Sequence, residues 1–169
     1  SVRRLTHFNA QIADTIERPS ERAVSWQAPD GEEIHGGLIV PPGADQPVPL
    51  IVIVHGGPTW LWSMAYSPAE TNQLALPFVA AGAAVLLANP RGSSGRGTDF
   101  ADAVAGRLGE FDASELVSGI DQLVADNVVD PERVSVIGTS YGGFMAGWLA
   151  ATTSRLRCAV AISCVSDWC

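Results

Sequence analysis

Gly138-Thr139-Ser140-Tyr141-Gly142 is the stretch of this chain best suited to chemistry. A β-branched apolar run, Val134-Ser135-Val136-Ile137, precedes it, and a helix-compatible run from Phe144 to Ala151 follows. In that order the tight turn lifts one hydroxyl out at the carboxyl end of a buried strand. It also places that hydroxyl at the start of a helix, where unsatisfied N–H groups favour developing negative charge. Gly138 and Gly142 suit a turn in which two backbone segments approach too closely for side chains. The expected chemistry is attack by the Ser140 hydroxyl on a carbonyl carbon. The competing reading is a glycine-rich turn in which Ser140 only caps the helix, and it leaves Gly142-Gly143 without a reason.

A serine nucleophile needs donors for the oxyanion, a base and a carboxylate that orients the base. The backbone N–H of Tyr141, next after the serine, is the natural first donor. Gly57, in the loop His55-Gly56-Gly57-Pro58 after another apolar strand, is the candidate for the second, with Pro58 fixing the direction of the loop. The base is harder to find. The histidines are His7, His35 and His55, and none lies between Ser140 and Cys169. In this strand–turn–helix arrangement the order is serine, acid, histidine. His55 opens the candidate oxyanion loop and reads as a buried structural hydrogen-bonding group before it reads as a base. Asp167 follows the wrong strand to serve as the acid. Arg91, in the glycine-rich loop 89–97, either pairs with an acidic residue and braces the loop, the commoner role, or binds a substrate carboxylate or phosphate through its planar fork.

The elements that must position these groups follow from periodicity. Residues 1–22 read as an irregular lead-in. Ala23–Gln27 and Ile34–Val40 form a β-hairpin around Pro29-Asp30-Gly31. Leu50–Val54 and Ala83–Ala88 are apolar throughout, as in strands buried on both faces of a parallel sheet. Between them, Ser67-Pro68-Ala69-Glu70 opens a helix with Leu74, Phe78 and Ala81 on its inner face and Pro77 inside it. Asp112 and Glu115 read as a capping pair for a helix burying Leu116, Ile120, Leu123 and Val124. Cys158–Cys164 is a sixth strand, with its first two cysteines in the core. Alternation of this kind predicts an open, mostly parallel α/β sheet with helices on both faces, its site at the carboxyl ends of the strands.

Composition narrows the classes. The chain has 169 residues, 47% hydrophobic and 17% charged. That is enough for a buried core, and no apolar run reaches membrane-spanning length. Its net charge of −8, with ten arginines and no lysine, argues against nucleic acid as a partner. The cysteines have no metal-ligand spacing, and no metal or organic cofactor is expected.

The motifs His55-Gly56-Gly57-Pro58, Asn89-Pro90-Arg91-Gly92-Ser93-Ser94-Gly95-Arg96-Gly97, Gly109-Glu110-Phe111-Asp112, Val129-Asp130-Pro131-Glu132-Arg133-Val134 and Gly138-Thr139-Ser140-Tyr141-Gly142-Gly143-Phe144-Met145 come in one order along the chain. Together with Val165-Ser166-Asp167-Trp168 they resemble the catalytic domain of the prolyl oligopeptidase family of serine peptidases, in particular its acylaminoacyl-peptidase and dipeptidyl-peptidase-like members. The resemblance implies an α/β-hydrolase fold, here its N-terminal part over residues 23–169, truncated after the sixth strand, with residues 1–22 as the linker from a propeller-like domain. It implies Ser140 as nucleophile and the Tyr141 and Gly57 N–H groups as the oxyanion hole, supported by His55, Gly56, Pro58, Arg91, Gly138 and Gly142. The triad aspartate and histidine would come from outside the chain, on strands beyond the sixth. The expected function is hydrolysis of short peptides through an acyl-enzyme on Ser140. The expected partners are the remaining strands of the domain and an N-terminal β-propeller; a homo-oligomer is compatible with this, and neither nucleic acid nor membrane is expected. The chain by itself would be inactive, and open at the edge of its sixth strand. The expected location is the cytoplasm, with secretion as the alternative. Two other readings stay open: a carboxylesterase or other acyl hydrolase on the same fold, and a non-catalytic assembly domain.

Overall fold

A computed structural model describes residues 17–45, 47–63 and 71–166, together with positions 5, 6, 8, 11 and 15. The expectations for His7, the Ser67–Glu70 helix start, Asp167 and the segment to Cys169 lie outside the described residues. The strands are β1 (Ser20–Gln27), β2 (Glu33–Val40), β3 (Val48–Val54), β4 (Ala84–Asn89), β5 (Val129–Thr139) and β6 (Cys158–Ile162). The helices are α1 (Thr71–Ala80), α2 (Thr98–Asp102), α3 (Phe111–Ala125) and α4 (Tyr141–Thr152).

One six-stranded sheet has the order β1-β2-β4-β3-β5-β6. The hairpin pairs antiparallel within itself and with β4; all later pairs are parallel. β3 and β4 therefore lie at the centre, and every residue of β4 is buried, as its unbroken apolar run requires. The chain leaves β3 toward β4 and returns on the other side to β5. The carboxyl ends of β3 and β5 thus flank the point where the winding reverses, the place where open α/β sheets form their clefts.

Helices cover both faces. On one, α3 and α4 bury Leu116, Ile120, Met145 and Leu149 against Leu50, Val52, Leu86 and Val136; on the other, α1 lays Ala75 and Val79 on Ile39, Ile53, Val85 and Leu87. Trp26 of β1 seals the first core and donates its indole N–H to the Glu115 carbonyl at 2.8 Å.

Several local expectations are corrected. β1 begins at Ser20, inside the stretch read as lead-in, because it pairs with β2 along its whole length, from Ser20–Val40 to Gln27–Glu33. In α1 the buried residues are Ala75 and Val79, whereas Leu74 is 40% exposed, Ala81 is exposed and Phe78 is half-buried. From Leu74 to Ala80 that helix has no polar residue, so docking on the sheet, not periodicity, selects its face. Asp112 and Glu115 do not cap α3; Glu110 stands at the N-cap without a side-chain bond, and both carboxylates turn inward. Cys158 and Cys164 are exposed, not in the core. The reason is their place on and beyond β6, an edge strand of the described sheet on which Val160 and Ile162 are also exposed. No helix among the described residues is long and apolar enough to cross a membrane.

Candidate active site

The β5–α4 junction has the geometry that its glycines suggest. Ser140 adopts φ 60° and ψ −119°. That backbone conformation costs a non-glycine residue energy and persists only where its surroundings hold it. Those surroundings are visible. The Ser140 N–H donates to the Ile162 carbonyl at 2.9 Å, and its own carbonyl accepts the Phe144 N–H at 3.0 Å. A Cβ at Gly138 would sit inside the Gly142 peptide, and one at Gly142 inside the Val54 carbonyl. A Cβ at Gly143 would lie 2.7 Å from the Ile162 carbonyl oxygen. Helix α4 is thereby pressed onto the ends of β3 and β6, and Ser140 stays exposed at the top of the turn.

Tyr141, fully buried, is tied across to α3. Its hydroxyl donates to Asp112 Oδ2 at 2.7 Å, while Asp112 Oδ1 accepts the Gly109 and Ala113 N–H groups at 2.8 and 3.0 Å. This use of Asp112, 29 residues from Tyr141 in sequence, replaces the expected cap. Burial, and then the Asp112 charge, raise the Tyr141 phenol well above its ordinary value of 10.0. An unfolded tyrosine releases its proton near pH 10 while the folded one keeps it. This contribution to stability is complete below about pH 10 and is lost as the pH rises toward the folded value. Thermal midpoints measured from pH 9 to 11 should fall less steeply for Tyr141→Phe than for the native protein.

The loop after β3 faces Ser140. A Cβ at Gly56 would lie 3.8 Å from that of Ser140. Gly57 has φ 116°, which glycine alone takes up readily. The Gly57–Pro58 peptide is cis. A cavity of about 510 Å³ lies beside this loop and Ser140, with Trp60, Trp62, Leu74, Ile137 and Ile162 in its walls. The first N–H groups of α4, Tyr141's included, have no acceptor within the helix.

The 89–97 loop holds the 55–62 loop from the side. Asn89, buried, works as a backbone clamp: its amide accepts the Trp62 N–H and donates to the Trp62 carbonyl, both at 2.8 Å. The Ser94 N–H donates to the Trp60 carbonyl at 2.9 Å. His55 Nε2 lies 2.9 Å from Ser93 Oγ, and His55 Nδ1 lies 2.8 Å from the Gly56 carbonyl. A serine and a histidine in contact is the geometric mark of an activated nucleophile. Here Ser93 is 1% and His55 2% exposed, so the pair is closed to a substrate carbonyl. Burial lowers the pKa of His55, and the imidazole is held neutral.

Arg91 braces the same loop. Its backbone N–H donates to Glu115 Oε2 at 2.7 Å, its Nε to Glu115 Oε1, and its Nη2 to Asp30 Oδ2 at 2.6 Å, while the guanidinium stacks 4.1 Å from the Phe111 ring centroid. Its donors face these carboxylates, and the geometry is that of the bracing role. Burial pushes the Glu115 carboxyl up, and the bonds from Arg91 pull it back. Arg91→Met leaves a fully buried carboxylate without its cation, and should cost the domain about 3 kcal/mol. The measurement is the denaturant midpoint of the full-length protein; Asp30→Asn, at the exposed end of the same bridge, should cost far less.

A mostly parallel sheet in this strand order, a strained serine between strand and helix, and a glycine loop facing it define an α/β-hydrolase domain. The chain belongs to the prolyl oligopeptidase family, whose sequence profile matches residues 70–169. It is 36% identical over 157 residues to the uncharacterized peptidase YuxL of Bacillus subtilis, covering 91% of this chain and 23% of that protein. It is 33% identical over 135 residues to the probable dipeptidyl-peptidase 5 of Emericella nidulans, covering 78% of this chain and 18% of the relative. Among solved structures it is similar to the acylaminoacyl peptidase of Pyrococcus horikoshii, with a TM-score of 0.83 and 29% identity over 98% of this chain and 27% of that one. The chain thus spans about a quarter or less of the length of these relatives.

The site brings together Ser140, Tyr141, Gly56 and Gly57, with Gly138 and Gly142 packed beneath the serine and Pro58 against the 89–97 loop, where a Cβ at Gly92 would lie 3.0 Å from Pro58 Cβ. It does not bring His35, which pairs with Glu33 on the surface at 3.3 Å. The sequence reading missed the roles of Asn89, Ser93, Asp112 and Glu115. All four sit in or beside the motifs, but their partners lie between 24 and 38 residues away.

Proposed function

We propose that this chain carries the nucleophile and oxyanion hole of a serine peptidase that hydrolyses short peptides. Its general base and acid come from other parts of the polypeptide, together with a propeller-like domain that limits access. Ser140 Oγ attacks the scissile carbonyl and gives its proton to the base. The Tyr141 and Gly57 N–H groups receive the oxyanion; the C–N bond then breaks, the amine leaves with the proton, and water releases the acyl group from Ser140. The observation that carries this reading is the exposed Ser140 at φ 60°, locked over two glycines that cannot bear a Cβ. Its relatives' names point the same way, since those of Bacillus subtilis, Emericella nidulans and Pyrococcus horikoshii are all called peptidases.

The test is to label the full-length protein with a fluorophosphonate and locate the adduct by peptide mass spectrometry. The expected site is Ser140. An adduct on Ser93, or none on a protein that cleaves peptides, refutes the assignment. Turnover of acetylated amino-acid anilides against dipeptidyl anilides then separates the acylaminoacyl from the dipeptidyl type, and p-nitrophenyl esters serve as the esterase comparison.

A further inference from the structure

Two carboxylates near the start of α3, Asp112 and Glu115, are wholly buried. Glu115 has the Arg91 guanidinium beside it, whereas Asp112 takes part in no ion pair among the described residues. Its partners are three donors. Oδ1 accepts the Gly109 and Ala113 N–H groups, and Oδ2 accepts the Tyr141 hydroxyl. An ionised carboxylate, which only accepts, satisfies all three, and the N-terminus of α3 favours its charge. Burial raises the Asp112 carboxyl above its ordinary value of 3.8, and the bonds from Tyr141, Ala113 and Gly109 offset only part of that. A folded-state pKa above the unfolded one means that the group stabilises the fold when protonated. That contribution is lost as the pH rises through the folded value. At neutral pH the fold therefore keeps this charge against its own stability.

What the charge holds lies next to the nucleophile. Tyr141 is the first residue of α4, and its N–H is one of the two proposed oxyanion donors. The peptide unit that carries this N–H is planar, so its direction follows from where the Cα atoms of Ser140 and Tyr141 are held. Backbone bonds to Ile162 and Phe144 hold the Ser140 end. At the other end the buried tyrosine ring reaches to Asp112, through a bond that the acceptor's charge makes roughly twice as strong as a neutral one. Farther along α4, Trp148 packs on the start of α3, where a Cβ at Gly109 would lie 2.5 Å from its ring. Phe144 stands between, 6.4 Å from the Tyr141 ring centroid and 5.7 Å from that of Trp148. Trp148 holds the two helices side by side, and the Tyr141 bond acts at the turn itself.

We propose that Asp112 is a positioning residue for the reaction: its carboxylate, through the Tyr141 hydroxyl, fixes the first residue of α4 so that the Tyr141 N–H meets the oxyanion formed at Ser140. This inference rests on the proposed roles of Ser140 and Tyr141. It gives a reason for a buried charge that has no cation and that no step of the hydrolysis uses. Asp112 does not touch substrate.

The experiment compares the full-length protein with Tyr141→Phe, Asp112→Asn and the double variant. Each is measured for its denaturant midpoint, for kcat and KM on a peptide anilide, and for affinity toward the matching peptide aldehyde and the cleaved peptide acid. The aldehyde forms a hemiacetal whose oxygen occupies the oxyanion hole; the acid forms no such adduct. Tyr141→Phe should lower kcat about tenfold, part of the roughly 10²- to 10³-fold that complete loss of an oxyanion donor costs. KM and acid affinity should hold within about twofold, and aldehyde affinity should fall in step with kcat. Asp112→Asn should lose kcat to a similar extent, and the two losses should not add, because Asp112 acts through the hydroxyl. Each single variant leaves a buried polar group short of a partner and should lower the midpoint. In the double variant the amide oxygen still accepts the Gly109 and Ala113 N–H groups and no buried charge remains at that position. Its midpoint should return most of the way to native, while kcat stays about tenfold low. Recovery of kcat together with the midpoint would show that the link serves stability alone and would overturn the proposal. Equal losses in aldehyde and acid affinity, or an unchanged kcat in folded Tyr141→Phe protein, would do the same. Fluorophosphonate labelling of the native protein separates the two ideas. No adduct on Ser140 removes the functional reading and this proposal with it, whereas labelling with kcat restored in the double variant removes only the role of Asp112.

Discussion

Ser140→Ala in the full-length protein should lower kcat on peptide substrates by about 10⁴-fold or more, with KM little changed. The hydroxyl is all that is removed, and the substitution keeps a side chain no larger than the native one at the strained turn. Binding contacts along the substrate remain, and so do the proposed oxyanion donors on Tyr141 and Gly57; hence ground-state affinity should survive while the covalent step is lost. The residual rate over uncatalysed hydrolysis would come from those donors and from substrate positioning. Thermal stability should rise slightly or stay level, since alanine loses no hydrogen bond that holds the turn: the bonds to Ile162 and Phe144 are made by the Ser140 backbone. Full activity in this variant would end the assignment. Loss of activity in Ser93→Ala with retention in Ser140→Ala would move the nucleophile to Ser93.

Gly142→Ala should be the most damaging of the small substitutions, costing more than about 4 kcal/mol of domain stability. The added methyl would fall inside the Val54 carbonyl, and the neighbouring His55 carbonyl oxygen would lie 2.8 Å away. Both are backbone atoms of β3 and its loop, buried in the sheet, and neither can move aside as a flexible side chain would. Relief would require α4 to lift from β3, which opens the contacts of Met145 and Leu149 with the core and releases the turn that strains Ser140. The expected readouts are low soluble yield and a sharply lower denaturant midpoint. By contrast, a Cβ at Gly147 meets nothing within 4 Å, and Gly147→Ala should be neutral or stabilising. Equal stability of the two variants would show that α4 is packed loosely at the turn.

The two substitutions separate what the glycines do from what the serine does. Gly138 and Gly142 supply close approach, and the serine is then forced into a conformation it would not choose. Tyr141 adds a deep anchor through Asp112, and Arg91 with Glu115 secures the facing loop. Strain at one residue is thus sustained by contacts spread over β3, β6, α3 and the 89–97 loop, as the energetics of strained sites require.

The amino-acid sequence by itself determined the order and type of the elements apart from α2, the short helix Thr98–Asp102, for which no pattern was legible. Unbroken apolar runs at β3 and β4 can only be satisfied by burial on both faces, and the Gly138–Gly142 pattern is intelligible only as a strand meeting a helix at short range. These are local properties, written within ten or so residues and so visible without coordinates. Tertiary structure alone decided how the loops are held. Asp112 and Glu115 have the spacing of a helix cap, and no local pattern shows that Tyr141 and Arg91 draw them inward. Asn89 is one more polar residue in a loop until Trp62 is beside it. Cys158 and Cys164 alternate like core positions, yet they are exposed on and beyond an edge strand. In α1 the unbroken apolar run Leu74–Ala80 permits several faces, and only the sheet beneath selects Ala75 and Val79. Side-chain hydrogen bonds between segments 24 to 38 residues apart depend on how the sheet brings those segments together, and periodicity carries no record of that distance.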